Sequence, residues 1–411
     1  MWQHLDVAFS RGMTTPRPPF PSSPSPGFRR RERISDLMTR EYAAFVDSAT
    51  GAERAGDAET ALEYHQGVPM FRHSAHRAVL AQLADLSGEM TPWLWARWAA
   101  YQCTRAEDEG TRCGLVSRLA LDYTVHMFHA DAVDRAWEAG DDPIQLFATT
   151  TGQDWAYHQI CTFELHGLET FLETMAGGRL ADGCGALTRE WVGATIGGYR
   201  VESTSTGRLV VRDLADDRSL ELLDLGAGLL LDTGGWLIGR LVPSGTTPAL
   251  MFDTRPLPVD EQTAVAAATG DRRGAWITAL DQAFTEGRLD RSLLRSEDRE
   301  LVTDVPSLSL LERGTPPAAL AHTMDQLRGG RDEIGRAAYR ILRAVADDSF
   351  PEEEAPYVAA AAVNPHGFAE AQRQLVGPRH REAWERWTRL VPAPARGRLA
   401  RLAELSADAA A

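Results

Sequence analysis

The chain has no lysine: its 43 basic residues are all arginine, set against 58 aspartates and glutamates, for a formal net charge of −15. That balance argues against a protein that coats nucleic acid or an anionic membrane, because phosphate binding needs a net or local positive field. Arginine without lysine, alongside abundant alanine and glycine, is the imprint of GC-rich coding and suggests a bacterial source. Cysteine is also scarce. The four cysteines, Cys103, Cys113, Cys161 and Cys184, lie far apart with no Cys-x-x-Cys pair. Neither a zinc ribbon nor a disulfide framework is indicated, and reduced thiols are expected. No run of about 18 apolar residues exists to span a bilayer. The N-terminal region lacks a secretory apolar core, being mixed over 1–10 and rich in proline and serine over 14–28, so the expected compartment is the cytoplasm. No P-loop, nucleophile elbow or dinucleotide fingerprint is present. Gly226-Ala227-Gly228 and Gly234-Gly235 stand between apolar runs and not ahead of a helix, which makes them turn glycines.

What is present suits a globular chain of two or three domains: 411 residues, 44% hydrophobic and 25% charged. Residues 1–37 form a Pro-rich leader that cannot bury a core and is expected to be disordered. Met38 stands immediately before the first helical pattern, so translation is expected to start there or at Met13.

Residues 38–192 read as helical. Gly56-Asp57 separates two helical patterns, with Ala61, Leu62 and Tyr64 on the second, where small and apolar residues let two helices approach closely. This hairpin resembles a tetratricopeptide repeat. A similar phrase, Ala136-Trp137-Glu138-Ala139-Gly140-Asp141, returns off the roughly 34-residue period of such arrays, so any array is irregular. Thr91-Pro92 marks a helix start on which Trp95, Trp98 and Gln102 share a face, read as packing and not as a peptide groove. Further helices are expected over 115–138, 143–147, 154–175 and 187–192.

From Gly197 to Pro258 the pattern changes. Apolar runs over 209–211, 220–223, 229–231, 236–242 and 250–252 alternate with turn chemistry at Gly207, Asp216-Asp217, Gly226, Gly234-Gly235 and Gly245. Strands this short and close curl into a compact barrel, which removes exposed edges. After Pro258, helices are expected over 259–268, 275–285, 317–327, 333–346, 355–363, 368–375, 379–390 and 396–405, with a looser stretch over 302–311. The fold class is therefore α+β, mainly α: an irregular helical-repeat-like N-terminal domain (38–192), a small antiparallel β-barrel module (193–258) and a helical C-terminal region (259–411).

Asp154-Trp155 through Leu168 and Phe171-Leu172, then Arg212-Asp213-Leu214, Gly239-Arg240-Leu241-Val242-Pro243 and Pro256-Leu257-Pro258, resemble a family of uncharacterised bacterial proteins, many of which carry a zinc-binding C-terminal SEC-C motif. The likeness covers roughly 154–268 and implies the module without a task for it. The last cysteine here is Cys184, so the motif's clustered C-terminal cysteines are missing and zinc is not carried over.

The best metal-like grouping is Asp122, His126 and His129, with Asp154, His158, Glu164 and His166 on the helix expected next. Residues i and i+4 share a helix face, so imidazoles and carboxylates could converge as in helical metal sites. His126-Met127-Phe128-His129 is nevertheless not the His-Glu-x-x-His of zinc hydrolases. Core or surface histidines are the plainer reading. His65, His73 and His76 form a weaker cluster, read as surface residues with nothing acidic beside them. Arg200, Arg208, Arg212 and Arg240 lie on the module's strands without marking a site. Between Arg373 and Arg401 eight arginines face two acids, Glu382 and Glu385, with Trp384 and Trp387 interleaved. A solvated arginine face explains this as well as contact with RNA does.

With no convergent catalytic groups, the reading is an intracellular, non-enzymatic adaptor whose helical hairpins present a groove to a protein or peptide, with no cofactor, no membrane partner and nucleic acid disfavoured. The alternatives are a metal-dependent hydrolase built on the His126 and His158 helices and an RNA-associated factor.

Overall fold

A computed structural model describes residues 38–71, 74–105, 110–139, 144–175, 177–205, 208–270, 274–295, 301–304 and 333–409. The leader, His73, Gly140-Asp141, Gly207, the helix expected over 317–327 and most of the stretch over 302–311 lie outside them. Seventeen α-helices and six strands are present among the described residues.

The first helical hairpin follows from its caps. Helix α1 (Arg40–Ala55) starts where the Thr39 side chain accepts from the Tyr42 N–H, and stops at Gly56, whose φ of 80° suits a residue without a Cβ. Asp57 then caps α2 (Ala58–Gln66), accepting from Thr60 N at 3.1 Å. Helix α3 (Ala75–Asp85) follows its Ser74 cap. Helix α4 (Pro92–Cys103) begins at Thr91-Pro92 as expected, although the Thr91 hydroxyl makes no cap hydrogen bond. It is buried on almost every side, the mark of a central helix. Trp98 and Gln102 are interior, and Trp95 stacks on Trp98 with centroids 5.6 Å apart.

Two long helical patterns break. The stretch over 115–138 divides at His129 into α5 (Arg112–Phe128) and α6 (Ala130–Glu138), followed by α7 (Ile144–Gln153). The stretch over 154–175 divides further. Helix α8 (Trp155–Gln159) runs into a π turn (Ile160–Glu164), the chain reverses at His166 with φ 60°, and α9 (Gly167–Thr174) restarts. A Cβ on Gly167 would lie 2.2 Å from the Cys161 carbonyl oxygen, so glycine is required at the restart. Helix α10 (Arg179–Val192) leads into the barrel.

The strands are β1 (Ile196–Ser205), β2 (Arg208–Asp213), β3 (Ser219–Leu223), β4 (Trp236–Pro243), β5 (Leu250–Phe252) and β6 (Leu257–Val259). The ring β1-β2-β3-β5-β4 closes through β1–β4, and β6 continues beside β5 along β4. The barrel is as expected, but it is mixed and not wholly antiparallel: β3 and β5 run parallel, with Leu222 opposite Leu250. A closed ring of five strands cannot alternate direction all the way round. The odd member arises because the run over 229–231 is not a strand, most of it lying in the 3-10 turn Ala227–Leu230.

Alternation decides which side chains face where. Tyr199, Val201, Leu209, Val211, Leu222, Leu237 and Phe252 fill the barrel. Ile196, Ile238 and Leu257 join Trp155, Trp276, Leu280 and Phe284 in a second core against the surrounding helices. Helix α11 (Glu261–Thr269) lies so close to β1 that a Cβ on Gly198 would meet the Ala264 carbonyl oxygen at 1.8 Å. Helix α12 (Ala275–Thr285) follows, then α13 (Glu333–Ala346), α14 (Ala355–Ala362), α15 (Pro365–Gln374), α16 (Arg381–Thr388) and α17 (Ala395–Asp408). The largest core is continuous from Leu83, Leu86 and Trp98 to Ile341, Trp384, Trp387 and Leu402, and takes in Val242 and Met251 of the barrel.

Candidate functional site

The helix breaks distribute the metal-like grouping over separate places. Asp122 and His126 are exposed on α5. His129 donates through Nε2 to Asp154 Oδ2 at 2.8 Å, while Asp154 Oδ1 caps α8 by accepting from Tyr157 N. His158 points the other way, its Nε2 3.0 Å from Asp253 Oδ2. Glu164, carried round by the π turn, accepts from Arg240 and from Trp276 Nε1 at 3.0 Å. His166 pairs with Glu169. Among the described residues no three histidines, cysteines, aspartates or glutamates gather to hold a metal ion. The four cysteines are free and buried.

The most concentrated charge lies instead at the seam between barrel and helices. Arg240 stands on the outward face of β4, fully buried. Its Nε donates to Gln159 Oε1 at 2.8 Å, Nη2 to Glu164 Oε1 at 2.6 Å and Nη1 to the Ala194 carbonyl, and its guanidinium lies 4.1 Å from the centre of the Phe163 ring. Beside it, Asp253 is held below the usual aspartate range. Burial alone would raise it, but the charge and hydrogen bond of His158, with Arg97 and Arg240 behind, outweigh that. Arg97, from α4, donates to the Phe252 carbonyl at 3.0 Å and pairs with Asp304 at 3.0 Å. Asp224, capping the 3-10 turn through Gly226 N and Gly228 N, is pushed up to about 6 by burial, with the charge of Asp304 adding to it. Chemically, these groups fix β4 and β5 against α4, α8 and the π turn.

A second interior constellation corrects the surface reading of His65 and His76. His65 is buried and His76 is 12% exposed, and an acid does stand with them: Glu53 of α1, 2% exposed. Glu53 accepts from Gln102 Nε2 at 2.7 Å, Arg105 Nη1 at 2.7 Å and His76 Nε2 at 2.8 Å. The other ring nitrogen, His76 Nδ1, lies 2.8 Å from the Tyr101 hydroxyl, and Arg105 Nη1 lies 2.6 Å from His76 Nε2. Burial raises the Glu53 carboxyl, yet the His76 hydrogen bond and the Arg105 charge bring it down to about 2. His65, stacked on Phe71, is lowered to about 4 by burial and by His76.

The arginine-rich stretch finds its acids partly within a helical turn and partly far off in the chain. Arg373 pairs with Glu370, Arg381 with Glu385, Arg386 with Asp348 and Glu352, and Arg401 with Glu404. Trp384 and Trp387 are fully buried and cannot stack on bases. Arg398 reaches furthest: its Nη1 lies 2.8 Å from Asp85 Oδ2 and its Nε 3.0 Å from Glu89 Oε2, and it covers the Phe368 ring at 4.7 Å. Around this anchor opens a cleft of about 560 Å³, lined by Asp85, Glu89, Pro365, Phe368, Ala369, Gln372, Gly397, Arg398, Arg401 and Glu404. It joins α3 to α15 and α17, bringing together residues some 300 positions apart.

Sequence reasoning missed Glu53, Arg97, Gln159 and Asp253. The available signal was a charge set within an unbroken apolar run, as Arg97 is in Trp93-Leu94-Trp95-Ala96-Arg97-Trp98 and Arg240 in Trp236-Leu237-Ile238-Gly239-Arg240-Leu241-Val242. Compared with family models, curated proteins and solved structures, the chain matches none.

Proposed function

We propose that the protein is a non-enzymatic interaction scaffold that docks a segment of a partner protein in the cleft between α3, α15 and α17. The observation carrying this reading is the accessibility of that cleft. Asp85, Glu89, Arg401 and Glu404 line it with side chains that water reaches. The seam and Glu53 constellations, by contrast, turn their charges on one another in the interior. Helices α3, α15 and α17 supply the walls of this surface. No helix among the described residues is long and apolar enough to cross a membrane.

Ala369 is an exposed residue of the cleft lining, so Ala369→Trp fills the cleft without entering the core. Affinity capture from the native host should recover a protein on the wild type that is lost on Ala369→Trp and kept on Val265→Trp, an exposed position on α11. A profile unchanged by Ala369→Trp would refute the docking role.

A further inference from the structure

We infer that the outward face of α5 is a self-association surface on which a second copy of this chain packs antiparallel, Leu115 against its Leu119 and Arg112 against its Asp122. The inference is independent of the docking role proposed above. Helix α5 buries Cys113, Gly114, Ser117, Ala120, Thr124 and Phe128 on one side. On the opposite side Arg112, Leu115, Leu119, Asp122 and His126 are all exposed. Their spacing, alternately three and four residues, is that of a coiled-coil seam. Leu115 is 51% and Leu119 42% exposed, and neither joins any of the three cores among the described residues. The other exposed large apolar residues, Tyr64, Trp137, Leu230 and Val265, stand singly on different elements, which needs no partner to explain it. These two stand one turn apart on a single stripe.

What selects a second copy is the order of side chains along that stripe. It reads basic, leucine, leucine, acidic, and is symmetric about the level of Ser117: Leu115 and Leu119 stand two residues to either side, Arg112 and Asp122 five. A two-fold axis at that level turns the helix end for end, so each leucine meets the other leucine of the second copy and each charge meets its opposite. Four leucines then fill the middle of the contact, with an ion pair at each end. Parallel packing would instead set arginine on arginine and aspartate on aspartate, which like-charge repulsion disfavours. Arg112 already lies 3.0 Å from Glu173 of α9, an exposed pair, but a guanidinium has five N–H donors and takes a second carboxylate. Asp122 has the charge of Arg118 near it on α5 and, as a carboxylate, accepts at about four sites. A helix of 17 residues is about 25 Å long, so the contact lies at the low end of interface sizes and the dimer is weak and reversible.

The test is sedimentation equilibrium of the full chain over about a hundredfold range of concentration reaching the submillimolar. Wild type should pass from monomer to dimer as concentration rises. Leu119→Glu, which sets a carboxylate against Leu115 of the second copy, should stay monomeric. Arg112→Glu and Asp122→Arg should each weaken association about tenfold or more, because each loses both ion pairs and gains two like-charge contacts. Mixed in equal amounts, these two variants should dimerise about as well as wild type, since a mixed dimer has opposite charges at both ends. Ala369→Trp, in the cleft, should leave the equilibrium unchanged. All four substitutions are at exposed positions and should keep the wild-type unfolding midpoint.

A wild type that stays monomeric throughout would assign the stripe to another partner or to solvent and overturn the inference. Dimerisation of Leu119→Glu at wild-type strength, or a mixture of Arg112→Glu and Asp122→Arg no more associated than either alone, would overturn it too. Loss of the dimer in Ala369→Trp would place the contact in the cleft, with the same consequence.

Discussion

The seam between barrel and helices and the cleft between the first and last helical regions are built from the same residue types, arginine against aspartate and glutamate, but in opposite settings. Arg240 is fully buried and its partner Glu164 is 9% exposed, whereas Arg401 and Glu404 are 56% and 65% exposed. In the seam, desolvation makes an unmatched charge so unfavourable that each group must be matched by hydrogen bonds, and the result fixes geometry. In the cleft water screens the pair, which contributes little to stability and stays available to a ligand. Burial thus converts charge into architecture, and exposure leaves it for recognition.

The largest effect should come from breaking the seam. Arg240→Met leaves Glu164 in a low-dielectric site with Trp276 as a remaining donor, and should destabilise by about 3–5 kcal/mol in denaturant unfolding. Adding Glu164→Gln should recover much of that loss, since the uncompensated charge is then gone. A single variant within about 0.5 kcal/mol of wild type would show that the seam is not the clamp described.

Glu53→Gln comes next, with an expected loss of about 2–4 kcal/mol at neutral pH, because three donors lose a charged acceptor. The carboxyl sits at about 2 in the fold against an ordinary 4.5. Its contribution is therefore complete above the higher value and is lost as pH falls through the lower one. Wild-type stability should drop across that acid window, and Glu53→Gln should lack this part of the slope. His65, lowered to about 4, works in the same direction from its ordinary 6.5 downward, because the unfolded chain takes up the proton first.

Asp224 carries the opposite sign. Its folded value of about 6 lies above the ordinary 3.8, so its contribution is present below 3.8 and lost as pH rises through 6. Asp224→Asn keeps an oxygen for Gly226 N and Gly228 N and removes the charge. It should stabilise the protein by about 1–3 kcal/mol at pH 7, with the gain vanishing below about pH 4. Destabilisation at pH 7 would mean that the ionised form is the favoured one. Substitutions in the cleft rim should have the smallest effect on unfolding, within about 0.5 kcal/mol.

Most of the fold was legible because its signals are local. Helix α12 runs over 275–285 and α13 over 333–346, as their apolar spacing indicates, and the barrel's short runs and turn glycines mark its strands. Two features were not local. The parallel β3–β5 pair follows from closure of an odd ring, which no single strand encodes. The break at 160–166 depends on a π turn and a left-handed histidine inside a pattern that reads as continuous helix. That break carries Glu164 away to Arg240, while His129 ends its helix on Asp154, His158 pairs with Asp253, and Asp122 and His126 stay exposed, so the five share no common site. The same limit hid Glu53 from His76 and hid the partners of Arg398, because its pairing with Asp85 spans most of the chain.

The most direct measurement is affinity capture from the native host with Ala369→Trp and Glu53→Gln, run side by side under conditions where both are folded. If the exposed cleft recognises and buried charge supports, Ala369→Trp loses the captured protein while unfolding as wild type does, and Glu53→Gln keeps it while unfolding more easily. Retained capture by Ala369→Trp, or capture lost in folded Glu53→Gln, would contradict that division.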